Sequence, residues 1–244
     1  MTAPPRIFEI DEVNSTNDEA RRMAAAGAVP PFWVRADRQT AGRGRRGRSW
    51  VGLAGNLFLS GLYRLSCPPA EAAQLSFAAA LAVGELLDGF VAPERVAFKW
   101  PNDVKLDGAK AAGVLLEASA AGRGVELVVG IGVNLADAPE GAIALVGATG
   151  DDAPPPADAG RTVVGAFEAW RVRWAGEGFA PIRAAWLARA EGLGGPVAAE
   201  LGEGRIEGVF EDLDLDGALV MMTAQGRRLV RSGEVFFSGG QGAR

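Results

Sequence analysis

Histidine is absent from this 244-residue chain, and cysteine occurs once, at Cys67. The first absence removes Ser-His-Asp triads, histidine-ligated zinc and imidazole acid–base chemistry together. The second excludes an intrachain disulfide and a cysteine zinc site. Positive charge is not in excess either. The formal net charge is −5, so no global field draws the chain to nucleic acid or to a membrane. No run is read as approaching the ~18 apolar residues of a spanning helix. The start at Met1 has no apolar stretch after a basic one, unlike a signal peptide. A soluble, cytoplasmic chain is expected, with chemistry resting on lysine, arginine, carboxylates, amides and backbone dipoles.

The residues present are those of an ordinary core-forming globule, 48 % hydrophobic and 23 % charged. The length suits one large domain, or one domain with a small appendage. Strands are predicted at Arg6–Ile10, Phe32–Arg35, Asn56–Tyr63, Val96–Trp100 and Val125–Val133. Val104–Leu106 and Ala111–Glu117 flank Asp107-Gly108, a hairpin signal. A helix capped at Ser15-Thr16 runs to Ala26 and stops at Gly27, and the apolar stretch Pro69–Leu87 reads as a buried helix. After a polar connector at Gly150–Gly160, residues Val163, Phe167, Trp170 and Trp174 share one helical face, and a short helix spans Ile182–Ala190.

From Gly194 the pattern changes to short strands at Val197–Leu201, Gly204–Phe210, Ala218–Thr223, Arg227–Val230 and Glu234–Phe237. Turn signals at Glu203-Gly204, Asp216-Gly217 and Gln225-Gly226 separate them, which predicts a small SH3-type barrel. The boundary is placed to give a catalytic domain over 1–192 and a barrel over 193–244.

Gly42-x-Gly44-x-x-Gly47 formally fits the dinucleotide fingerprint, but arginines fill its gaps and no apolar helix follows. Glycines allow close backbone approach, and the arginines offer forked donors for phosphate. With Trp50 available to stack on a base, the cluster asks for a phosphorylated aromatic ligand. Like charges without an apolar anchor do not order a loop unaided. The stretch from Asp37 to Trp50 is read as a long mobile loop, and Gly42–Ser49 within it is expected to order when a ligand supplies counter-charge.

Lys99-Trp100-Pro101-Asn102-Asp103 closes a strand with turn chemistry, and Lys110 precedes Gly113-Val114-Leu115-Leu116-Glu117. Gly113 would leave space for a ligand against that strand. Ser15-Thr16-Asn17 has a plain role as a helix cap. Gly130-Ile131-Gly132-Val133-Asn134 is a buried strand end whose glycines would let Asn134 reach a base edge.

Taken in order, Ser15-Thr16-Asn17, Gln39 through Trp50, Lys99–Asp103, Lys110–Glu117 and Gly130–Asn134 resemble the biotin–protein ligases along nearly the whole chain. The resemblance implies an α/β (α+β) fold: a class-II-synthetase-like catalytic domain with a mixed sheet, followed by an SH3-like barrel. It implies that Ser15, Thr16, Asn17, Gln39, Arg43, Gly44, Arg45, Lys110 and Gly113 bind biotin. Arg43, Arg45, Arg48, Trp50, Asn102, Asp103 and Asn134 would bind ATP and the adenylate, with Lys110 and Arg45 catalytic. Val114–Leu116 would wall the bicyclic body.

ATP and biotin would be substrates, and no metal-ligand set is assigned, although Mg2+ is expected with Asp103 as a contact. The acceptor would be a biotin carboxyl carrier domain. About fourteen residues precede Ser-Thr-Asn, so a DNA-binding winged helix is not expected, and neither is DNA or membrane binding; the oligomeric state stays open. Val51-Gly52-Leu53-Ala54 replaces the Ser-Pro turn of the family pattern. A lipoate–protein ligase with the same chemistry is the nearest alternative, and a non-enzymatic binding or adaptor protein the more distant one.

Overall fold

The computed structural model describes residues 4–150, 152–202 and 204–237. The Met1 start, Asp151 of the polar connector and Glu203 of the first barrel turn lie outside the described residues.

The chain opens with β1 (Arg6–Val13), α1 (Thr16–Ala25), β2 (Phe32–Gln39) and β3 (Leu57–Leu65), followed by the helices α2 (Pro69–Ala72) and α3 (Leu75–Asp88). Next come β4 (Val96–Lys99), β5 (Asp103–Leu106), β6 (Ala109–Ala121) and β7 (Gly124–Val133). Three helices follow: α4 (Leu145–Thr149), α5 (Pro156–Glu177) and α6 (Ala180–Leu187). The first seven strands form one mixed sheet in the order β1-β2-β3-β7-β6-β5-β4; β1 and β2 are parallel and every other neighbouring pair is antiparallel.

The centre of this sheet is covered on both faces, and its sequence shows it. Leu57 through Tyr63 of β3 are all buried. On one face α1 covers Phe32, Val34, Leu62 and Val128 through Ala20 and Met23. The other face carries α3, which is apolar nearly all round because α5 and α6 enclose its outer side. Trp33 fits beneath α5 because Gly61, its register partner, has no side chain: a Cβ there would lie 2.6 Å from the indole. Asp107 and Gly108 both take positive φ, as the two-residue turn between β5 and β6 requires.

The remaining strands are β8 (Pro196–Leu201), β9 (Gly204–Leu213), β10 (Leu219–Thr223), β11 (Gly226–Val230) and β12 (Glu234–Phe237). They form a second, five-stranded sheet in the order β11-β10-β9-β8-β12. Its inner residues Phe210, Leu219 and Val235 join the main core, beside Phe77 and Trp186. Polar ties reinforce the junction: Trp100 Nε1 donates to the Gly217 carbonyl at 3.0 Å, and Gln74 Nε2 to that of Leu215 at 3.0 Å.

Several elements differ from the expectation. The helix foreseen at Pro69–Leu87 is two helices, divided at Ala73-Gln74, where Gln74 turns its amide to the barrel. Pro69–Asp88 is also long and apolar enough to cross a membrane by length and composition, which the sequence reading missed; most of its apolar stretch is buried inside the fold. Strand β2 continues to Gln39 because its partner β1 runs on to Val13, so the glycine-rich loop is shorter than foreseen. Helix α4 and the tight link between β6 and β7 were not foreseen, and α6 stops at Leu187.

Candidate active site

A cavity of about 160 Å3 opens where β2, β6 and β7, the start of α1, the glycine-rich loop and the edge of the second sheet meet. Of the residues assigned from the sequence to biotin, to ATP or to catalysis, all but Asn134 line it.

One end is a polar cradle. Ser15, Thr16 and Asn17 are buried where β1 turns into α1. Ser15 sits at the N-cap with extended backbone, yet its side chain makes no capping bond, so the simple cap role is corrected. Gln39, at the end of β2, accepts the Thr16 N–H at 2.8 Å and the Thr16 hydroxyl at 3.0 Å. Asn17 Nδ2 donates to Glu117 at 2.7 Å, which fixes the orientation of the amide.

The glycine-rich loop crosses above. It is pinched by a bridge between Arg43 and Ser49, with the Gly44 N–H donating to the Arg48 carbonyl at 2.7 Å. Arg46 holds a left-handed backbone, φ 55°, of the kind that gathers at functional sites. The loop does not lack counter-charge or an apolar anchor, which corrects the premise of that expectation. Arg43 pairs with Asp18 at 2.7 Å and approaches Glu117, Arg48 pairs with Glu234 of β12, and Arg45 donates to Asn102 at 3.3 Å. Trp50 lies flat on β7, where a Cβ at Gly132 would meet its ring at 2.5 Å.

These pairings set the charges. The Arg43 guanidinium holds the Asp18 carboxyl below its usual range, and Arg48 does the same to Glu234. Arg43 and Arg48 are raised in return by their hydrogen-bonded carboxylates. Burial, then the neighbouring charge of Arg46, presses Arg45 the other way. Of these three paired arginines, Arg45 alone meets a neutral partner and no carboxylate among the described residues, and an incoming anion would complete its surroundings.

Lys110 approaches from β6. Its Nζ lies 2.7 Å from Asp103 Oδ1, at an angle too poor for a well-formed hydrogen bond, and 5.5 Å from the Trp50 ring centre. Two expectations about glycines change here. Gly113 does not leave open space, since a Cβ there would meet Trp50 at 3.0 Å and Lys110 at 3.3 Å. Gly130 and Gly132 make room for Asn17 and Trp50, not for Asn134. Asn134 is buried off the cavity wall, with its amide turned toward the Lys110 carbonyl, so the structure does not bring it to the site. Of the apolar wall, Val114 and Leu115 line the cavity and Leu116 does not; strand alternation puts Leu115 on the cavity face, with Gly113, and turns the Val114 side chain into the main core.

Sequence reasoning missed the carboxylates Asp18, Glu117 and Glu234, and Ser60 beneath the cradle. A serine interrupting the apolar stretch of β3 was a readable signal. No spacing links Arg48 to Glu234, because the second sheet folds back across the whole domain to bring them together.

Thus one cavity joins a neutral hydrogen-bonding cradle, an apolar wall and a group of cations beside an indole. Residues 10–134 match the Biotin/lipoate A/B protein ligase family, and residues 192–238 match the Biotin protein ligase C terminal domain. The chain belongs to the biotin/lipoate A/B protein ligase family. Within it, the chain stands with the biotin–protein ligases. A biotin–[acetyl-CoA-carboxylase] ligase of Paracoccus denitrificans is 45 % identical over 93 % of this chain and 98 % of that protein. The biotin protein ligase of Aquifex aeolicus, solved in complex with biotin and ATP, is 29 % identical with a TM-score of 0.80, covering 96 % of this chain and 98 % of that one. The Leishmania major biotin protein ligase bound to biotinyl-5-AMP is 25 % identical with a TM-score of 0.66, over 94 % and 100 % of the two chains. The α/β fold with a mixed sheet and a C-terminal β-sheet domain is that of these biotin–protein ligases.

Proposed function

We propose that this protein activates biotin with ATP to biotinyl-5′-AMP and transfers the biotinyl group to a lysine of a biotin carboxyl carrier domain. The observation that carries this is the union, in one cavity, of a buried cradle suited to a cyclic urea and a cluster of cations suited to phosphate. A ureido ring offers one carbonyl acceptor and two N–H donors, which need partners once buried. Ser15, Thr16, Asn17 and Gln39 supply hydroxyl and amide groups for it, and Leu115 an apolar wall.

In the first step the biotin carboxylate attacks the α-phosphorus of ATP and pyrophosphate leaves. Two anions must meet, so fixed cations are what the step needs. Lys110, Arg45 and Arg43 screen the repulsion and stabilise the charge that develops. Arg48 adds to the same field, and Gly44 allows the loop backbone to close over the product. Trp50 presents an indole face to adenine.

In the second step the lysine amine of the carrier attacks the carbonyl carbon of the mixed anhydride and AMP leaves. The anhydride is already activated, so no enzyme nucleophile is required, in keeping with a chain that has no histidine. The loop keeps water from the anhydride until the lysine arrives.

Magnesium usually arrives with polyphosphate and takes only one or two protein carboxylates. Asp103 and Asn102 fit that use. Among the described residues no group of three acidic, cysteine or histidine side chains forms a dedicated metal site, and Asp103 Oδ1 is buried without a well-formed hydrogen bond. These two residues would hold the ion against the phosphates and share its charge.

Residues 1–192 are read as the catalytic unit and 193–244 as the barrel unit, a division supported by the C-terminal match from residue 192. The cytoplasm, where ATP and newly made carrier proteins meet, is the compartment this activity needs. Lipoate is the disfavoured acid, because its dithiolane offers no N–H to a polar cradle. Pyrophosphate release from ATP across a panel of acids tests the proposal: turnover with biotin supports it, and turnover with lipoate but not biotin would overturn it.

A further inference from the structure

Ser60 is fully buried in the middle of β3 and does not line the cavity. Its Oγ lies 2.7 Å from Thr16 Oγ1 and 2.6 Å from Asn17 Oδ1. Thr16 Oγ1 is in turn 3.0 Å from Gln39 Oε1. Asn17 is locked in place around this contact. Its Nδ2 donates to Glu117, so Oδ1 is the atom that faces Ser60. Its amide also lies against Gly130, the register partner of Ser60, where an added Cβ would sit 2.4 Å from Oδ1.

The protons can be counted. Three oxygen–oxygen contacts join these four side chains, and only the two hydroxyls bring protons to them. The amide oxygens of Asn17 and Gln39 can only accept. The Ser60 proton goes to Asn17 Oδ1, to which no other hydrogen-bond donor is directed among the described residues. The Thr16 proton then serves either Gln39 or Ser60, and the remaining contact has none. The cradle is rich in acceptors and one proton short. A buried group in that condition favours a ligand that brings N–H donors.

We propose that Ser60 is a positioning residue. It acts through Thr16 and Asn17 to set the acceptor character of the cradle, and so selects a cyclic-urea head over one without N–H. This rests on the biotin reading above and names the element that gives that site its polarity.

The test uses the full chain with Ser60→Ala and Ser60→Cys, measuring pyrophosphate release with biotin, with desthiobiotin, which keeps the urea but lacks the thioether, and with varied ATP. Thermal melting is followed alongside. Ser60→Ala should raise KM for biotin and desthiobiotin by the same factor, roughly ten-fold, with kcat within about two-fold of native and KM for ATP unchanged. Ser60→Cys, of similar size and a weak donor, should recover part of the loss. An unchanged KM for biotin in a folded Ser60→Ala protein overturns the proposal, and so does a fall in kcat with KM unmoved. If Ser60→Ala does not fold, Ser60→Cys decides alone: a raised KM for biotin supports the role, and a native KM overturns it. A native protein inert toward biotin yet active with another acid would instead overturn the function on which this rests.

Discussion

Arg48 of the glycine-rich loop pairs with Glu234 of β12, 186 positions later in the chain. This contact ties the loop over the cavity to the second sheet, and Gly233, Glu234 and Val235 help to line the cavity. The pair is partly exposed, so it contributes at most about 1 kcal/mol. Glu234→Gln should therefore speed escape of the adenylate only a few-fold while melting stays close to native. An off-rate equal to native would remove the second sheet from control of the loop.

Lys110 has a half-exposed side chain and its nearest charged partner is Asp103. Lys110→Ala should leave the melting temperature almost unchanged and lower the rate of adenylate formation on the order of 100-fold or more. Native pyrophosphate release by this variant would take Lys110 out of the chemistry.

Gly132 and Gly165 make a matched pair of glycine tests. A methyl at Gly132 collides with the Trp50 ring, whereas one at Gly165 on the exposed side of α5 meets nothing within 4 Å. Gly132→Ala should displace the indole and raise KM for ATP by roughly ten-fold or more. Gly165→Ala should instead raise stability by roughly 0.5–1 kcal/mol, because alanine is the better helix former, with turnover unaltered. A native KM for ATP in Gly132→Ala would show that Trp50 does not need its bed.

The loop tethers carry a pH signature. Asp18 and Glu234 are held below their ordinary values of 3.8 and 4.5 by Arg43 and Arg48. A depressed carboxylate contributes stability that is present above its unfolded pKa and lost as pH falls through the folded one. Both tethers are thus complete at neutral pH and weaken only as pH falls below those ordinary values. Hydrogen exchange over Gly42–Ser49, corrected for intrinsic rates, should be flat from pH 7 to 5 and quicken below that window. Loosening between pH 7 and 6 would contradict the assignment, since no group in these pairs titrates there.

Much of this was legible in the sequence, for identifiable reasons. The second sheet was read strand by strand because turn residues punctuate it and each strand is short. The Asp107-Gly108 hairpin followed from the positive φ that its turn demands. What failed was whatever depended on partners distant in the chain. The division of α2 from α3 comes from Gln74 reaching a carbonyl in the barrel region, and the counter-charges of the arginine loop are Asp18, Glu117 and Glu234. The glycines of β6 and β7 were rightly seen as space, but the occupants are Trp50 and Asn17. Asn134 was drawn toward the site by its place after those glycines, and burial keeps it off the wall.

The proposed function needs one cavity to serve both a urea ring and an adenylate, with Arg45, which has no carboxylate partner among the described residues, completed by the ligand. The most direct measurement is single-turnover pyrophosphate release from ATP with biotin, followed by the off-rate of the adenylate, in the native chain and in Arg45→Gly. Biotin-dependent pyrophosphate release, together with a faster escape of the adenylate from Arg45→Gly, is the predicted result. No release with biotin would overturn the proposed function, and an off-rate that Arg45→Gly leaves unchanged would take Arg45 out of adenylate retention.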